Sequence, residues 1–175
     1  LPVSWARRWV EETARKGFVY TAFVTDVFSR RIVGWALSDS MRTEALPLQA
    51  LNQAIVSAKE TTGLIHHSDH GSQYVSIVYN ERLAEYGIAA STGTVGDSYD
   101  NALAENVNGS YKNELIHRRS WDSVVDVEIA TFEWVNWWNE VRLHQSLGYR
   151  TPAEVESEFW ETNPAQEIME IKANA

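Results

Sequence analysis

The chain has 175 residues, 44% apolar and 22% charged, enough to bury one sizeable core in a single domain. It contains no cysteine, which excludes disulfides, thiolate metal sites and a cysteine nucleophile and fits a cytosolic setting. The net charge of −9 has the wrong sign for a simple nucleic-acid binder, but six glutamates between Glu154 and Glu170 carry −6 of it. Basic residues come in pairs, Arg7/Arg8, Arg15/Lys16, Arg30/Arg31 and Arg118/Arg119, so charge leaves a DNA partner open. Apolar runs such as 18–24 are far too short to span a bilayer, and no basic segment followed by an apolar one opens the chain.

In chain order, residues 1–16 read as helical, with Trp5, Trp9 and Val10 among interleaved charges. Residues 18–26 and 31–37 are rich in β-branched and aromatic side chains around Val27-Phe28-Ser29-Arg30, which predicts a hairpin. A helix is expected over 43–58, with Pro47 in its first turns, where a missing N–H matters least. Leu64 to His67 reads as a short strand that delivers Ser68 and Asp69 to its C-terminal end. A second helix over 73–86, closed by Gly87, leads to a strand over 88–91 and a glycine-bearing loop over 93–96. A long helix over about 99–117 carries Glu105. Ser123 caps the next helix, which runs to about Leu143 with Ile129, Phe132, Val135 and Trp138 facing inward. In this reading Trp134 and Trp138 are core, and Trp137 is partly exposed. Gly148 breaks the chain, and Thr151-Pro152-Ala153-Glu154 has the N-cap, first-turn proline and N3 glutamate of a final helix. Strands followed by alternating helices and strands predict an α/β fold, a mixed sheet flanked by helices.

An acid at a strand end near an acid on a helix can cradle Mg²⁺, which takes oxygen ligands from carboxylates, water and substrate phosphate. Two such ions about 3.5–4 Å apart support in-line displacement at a phosphodiester. Asp69 and Glu105, with thirty-five residues between them, are such a pair, although 24 acids in one chain make their spacing alone uninformative. His66, His67 and His70 suggest zinc, but neighbouring strand residues point to opposite faces and no cysteine joins them. No G-x-S-x-G elbow supports a serine hydrolase.

The flanking motifs are more specific. VTDVFSRRIVGW (24–35), HHSDHGSQY (66–74), GDSYDNALAEN (96–106), Lys112 and WNEVRLHQSLGYRTPAE (138–154) occur in that order. The series closely resembles the catalytic core of bacterial insertion-sequence transposases of the retroviral-integrase, or DDE, type, from about Gly17 to Glu158. The resemblance implies a ribonuclease-H-like fold and DNA strand cleavage and transfer with Mg²⁺ or Mn²⁺. It makes Asp69 and Glu105 the second and third catalytic and metal-binding acids, and Lys112 a DNA contact. Gln73, Arg142 and His144 are further candidates for DNA. The expected partners are mobile-element ends and target DNA, with self-association or an upstream helix-turn-helix segment or partner for end recognition. The expected location is the bacterial cytoplasm, at the nucleoid.

The first acid of that group is expected on a strand about twelve residues before Tyr20, where this chain has Arg8. The fold reading therefore takes the first, central strand as degenerate. It divides the chain into a divergent segment 1–16, a catalytic core 17–150, and a C-terminal helix with an acidic tail 151–175. Asp26 is a third metal candidate, against its reading as a turn acid of the hairpin, while Glu11 and Glu12 lie nearer the vacant position. The alternative function is an inactive, truncated or frame-shifted remnant without the first catalytic Asp, limited to binding nucleic acid.

Overall fold

The N-terminal segment is a strand, and the sheet is built around it. The computed structural model describes residues 4–14, 17–39, 45–68, 77–91 and 97–164. β1 (Ser4–Ala14), β2 (Gly17–Asp26), β3 (Ile32–Ser38), β4 (Ile65–Ser68) and β5 (Ala89–Ser91) form one mixed sheet in the order β3-β2-β1-β4-β5. β1 pairs antiparallel with β2 over its whole length, from Trp5↔Asp26 to Ala14↔Gly17, and parallel with β4 from Ser4↔Ile65 to Arg7↔Ser68. The expectation of a helical N-terminus and a degenerate central strand is corrected here. Trp5 and Trp9 are four apart, a spacing that suits one side of a helix and one face of a strand equally. Pairing to β2 and β4 decides between them.

The helices are α1 (Ala45–Ser57), α2 (Ile77–Glu85), α3 (Asp97–Glu114), α4 (Val124–Glu140) and α5 (Pro152–Thr162). On one face of the sheet Trp5, Tyr20, Ala22, Val24 and Ala36 pack with Leu46, Leu51 and Ile55 of α1 and with Tyr79 and Leu83 of α2. On the other face Val19, Phe23 and Ile32 meet Leu103, Val107 and Tyr111 of α3 and Trp134, Val135 and Trp138 of α4. Odd and even residues of β2 thus serve opposite cores, as the two-residue period of a strand requires. Gly34 lets α1 approach β3 closely, because a Cβ there would stand 2.1 Å from the Ala50 carbonyl oxygen.

The turn between β2 and β3 is closed by Asp26, whose Oδ2 accepts from the Ser29 amide at 3.0 Å and the Ser29 hydroxyl at 2.5 Å. The capping signals act as expected. Ser123 Oγ accepts from the Asp126 amide, and Thr151 and Glu154 form a reciprocal capping box. In α4 the inward stripe is Val127, Ala130, Thr131, Trp134, Val135 and Trp138, while Ile129 and Phe132 are 56% and 57% exposed. The expectation that Ile129 and Phe132 face inward is therefore corrected. This helix has a second apolar stripe, Val125, Ile129 and Phe132, and the bulkier tryptophan side won the core. Trp137 is partly exposed, as expected. The Asn139 side chain accepts from the Ile32 amide at 2.8 Å and donates to its carbonyl at 3.0 Å, so α4 occupies the open edge of β3 at that residue.

Candidate active site

Three elements meet where the acids were sought. β4 runs beside β1 as far as the pair Arg7↔Ser68, so Arg8 is the next residue of the central strand. Arg8 is level with Phe23 of β2, whose ring packs 5.0 Å from that of Tyr111 on α3. Position 8 therefore lies where β1 passes under α3. Asp69 and Gln73 lie outside the described residues. The strand and helix on either side of them are joined by a buried hydrogen bond between His66 Nε2 and the Tyr79 hydroxyl, 2.7 Å long. His66 is thereby used in the core, on the face away from α3.

α3 turns Leu103, Ala104, Val107, Asn108 and Tyr111 inward. Tyr111 fixes its C-terminal half: its hydroxyl is 2.7 Å from Thr131 Oγ1 of α4 and 3.4 Å from Thr21 Oγ1 of β2. On the outer side Glu105 is exposed and Lys112 half-buried. Seven residues apart, they stand on one face.

The other candidates sit elsewhere. Asp26 is buried on the α1 side of the sheet, paired with Trp5, in the wall of a cavity of about 160 Å³ shared with Arg31, Glu156 and Trp160. Its Oδ1 has no hydrogen-bond partner among the described residues. Burial pushes its carboxyl above the ordinary value of 3.8, and the Ser29 hydrogen bonds offset this only in part. The structure does not bring Asp26 to Glu105. Glu156 is also pushed up by burial, against the pull of Arg31, which bridges it and Glu140 at 3.2 Å each.

Arg142 and His144 form an internal network. Arg142 reaches Glu114 Oε1 with Nη2 at 2.6 Å and Nε at 3.1 Å, and its guanidinium lies 4.6 Å over the Trp138 ring. Its Nη1 is 3.1 Å from His144 Nδ1, and His144 Nε2 is 3.1 Å from the Trp138 carbonyl oxygen. Arginine can only donate, so Nδ1 accepts and Nε2 carries the proton. Burial, reinforced by Arg142, holds the His144 ring below its ordinary value of 6.5, although its bond to the Trp138 carbonyl and Glu114 pull the other way. Sequence reading missed Glu114 because it is 28 residues from Arg142. It also passed over Gly109, a glycine in the interior of α3, which was a visible signal.

A mixed sheet with its central strand crossed by an acid-bearing helix is a ribonuclease-H-like core. Solved structures agree on the fold. The magnesium-complexed catalytic core domain of HTLV-2 integrase (trimeric form) superposes with a TM-score of 0.65 at 19% identity, covering 89% of this chain and 97% of that one. The simian T-cell lymphotropic virus intasome in complex with a PP2A regulatory subunit contains a chain that matches with a TM-score of 0.64 at 16% identity, covering 89% of this chain and 54% of that one. The chain belongs to the integrase core domain family, whose description matches residues 8–98, with a second integrase core domain description over 86–152. It is 50% identical over 156 residues to the transposase for insertion sequence element IS629 of Shigella sonnei, covering 89% of this chain and 52% of that protein. It is 48% identical over 164 residues to the putative transposase for IS986/IS6110 of Mycobacterium tuberculosis, covering 88% of this chain and 59% of that one. The chain thus spans little more than half the length of these relatives.

Proteins of this family normally use a divalent metal. In the site expected from the sequence, a pair of ions would call for a carboxylate from the central strand beside the expected acids Asp69 and Glu105. The central strand has Arg8 there, level with Phe23. Glu11 and Glu12 are three and four residues further along, about 10–13 Å at the rise of a strand. Asp26 is on the opposite face. The residue type at that step of β1, an arginine, does not fit a metal site.

Proposed function

We propose that this chain is the catalytic core of an insertion-sequence transposase, of the kind that cleaves and transfers DNA strands, with Arg8 where the first acid is expected. The observation that carries this reading is the placement of α3. It lies across the central strand, which pairs with β4 as far as Arg7↔Ser68, and carries Glu105 and Lys112 on one face, inside the ordered series of motifs. In this reading DNA lies along α3, Lys112 neutralises a backbone phosphate and Gln73 meets the backbone near Asp69. Asp69 and Glu105 are the acids for Mg²⁺ or Mn²⁺, a set that Arg8 leaves incomplete. Arg142 and His144 serve DNA indirectly, by holding the C-terminal end of α3 to α4 through Glu114. Residues 4–150 work as one core, with α5 packed beside it. Mobile-element ends and target DNA are the partners, and a helix-turn-helix segment or partner with self-association supplies end recognition. Among the described residues no helix is long and apolar enough to cross a membrane. The proposed place of action is the bacterial cytoplasm, on the nucleoid.

The test uses a labelled branched duplex that mimics the joined product, with Mn²⁺, and bypasses end recognition. Arg8→Asp is expected to raise resolution of the branch at least about tenfold over the unaltered chain, equivalent to 1.4 kcal/mol of transition-state stabilisation. Asp69→Asn or Glu105→Gln in that background should abolish the gain. If Arg8→Asp gives no more product than the Asp69→Asn double variant, the reading fails.

A further inference from the structure

We propose that Gly109 is a DNA-approach position, kept bare so that a sugar-phosphate backbone can lie against α3 between Glu105 and Lys112. The inference rests on the DNA-binding reading above and adds a residue to it. Gly34 is a glycine because α1 leaves no room for a Cβ, and Gly87 and Gly148 adopt φ of +68° and +67°. Gly109 has neither reason. It lies in the interior of an eighteen-residue helix, and a Cβ built on it meets nothing within 4 Å among the described residues.

A glycine in a helix interior weakens the helix relative to alanine, through the extra backbone freedom lost on folding. Among the described residues no packing contact at that position compensates for it. At about 100° per residue, Glu105, Gly109 and Lys112 fall within an arc of about 60°, outside the arc taken by the buried residues of α3. The exposed residues around them are Ala102, Asn106 and Asn113, which are small or polar. This is a low, polar strip with a cation at one end. It suits a polyanionic backbone approaching at close range and does not suit an apolar partner. A side chain at 109 would hold that backbone away from Lys112, weakening a charge-assisted contact that depends on distance.

The test compares the full chain with Gly109→Ala and Gly109→Leu, both better helix formers. Melting temperature and the Kd for a fluorescein-labelled blunt duplex are measured on the same samples, without metal. Gly109→Ala is expected to raise Tm by about 2–4 °C. It should also weaken DNA binding about tenfold, the equivalent of one lost polar contact, with Gly109→Leu weaker still. Opposite movement of stability and affinity is the signature, because a purely structural glycine would move both together. Unchanged affinity in both variants overturns the inference and leaves the DNA reading standing, as does a fall in Tm. Failure of the unaltered chain to bind the duplex, with Lys112→Ala no different, overturns both.

Discussion

Gly34 on β3 and Gly109 on α3 both lack a side chain, and their surroundings are opposite. At Gly34 the helix α1 closes on β3, so the absent side chain is filled by the protein itself. At Gly109 a side chain would meet nothing within 4 Å among the described residues. The polar residues divide in the same manner. Arg142, His144 and Glu114 satisfy one another between α3 and α4. Glu105 stands exposed on α3, with Lys112 half-buried on the same face. A helix held rigidly from behind can therefore present a low, charged front. The difference shows that residue type alone does not mark a site; what matters is whether the molecule has already used the group.

The contrast is most strongly tested at the closed glycine. Gly34→Ala forces a Cβ against the Ala50 carbonyl, and overpacking of that kind should cost about 3 kcal/mol. Urea unfolding measures it. A change within about 0.5 kcal/mol, the range of an ordinary surface substitution, would mean that α1 does not sit as close as described. A smaller effect is expected at the internal polar cluster. The folded His144 ring titrates below 6.5, so the unfolded chain binds its proton first as the pH falls. The ring's contribution is therefore complete above its ordinary value and is lost as the pH drops below it. Asp26 and Glu156 work in the opposite direction, since their raised carboxyls disfavour the folded state as the pH rises above their ordinary values. Measured against His144→Gln, which leaves those two groups in place, the unaltered chain should lose part of its advantage between about pH 7.5 and about pH 5. A constant difference across that range would mean that the ring is not held neutral.

Much of the fold was legible because its signals are local. The β2–β3 hairpin, the Ser123 cap, the Thr151–Glu154 box and the long helix bearing Glu105 each depend on residues within a few positions of one another. What failed was set by distant partners. Trp5 and Trp9 fit a helix or a strand until β2 and β4 choose. α4 has two apolar stripes, and only the sheet beneath it selects the one with Trp134 and Trp138. Arg142 and His144 look like surface groups of a polar motif until Glu114 and the Trp138 carbonyl meet them. The position twelve residues before Tyr20 does lie on the central strand. The register of β1 places Arg8 on the central strand, level with Phe23 beneath α3 and one step past the pair Arg7↔Ser68. The strand is formed, and the residue at that step is an arginine.

Mn²⁺ titration followed by water-proton relaxation tests this most directly, because it needs neither DNA nor turnover. Arg8→Asp is expected to bind Mn²⁺ saturably, with binding removed by Glu105→Gln, whereas the chain with Arg8 should show no such site. Equal Mn²⁺ affinity with and without the substitution would contradict the placement of Arg8 at the metal-binding position.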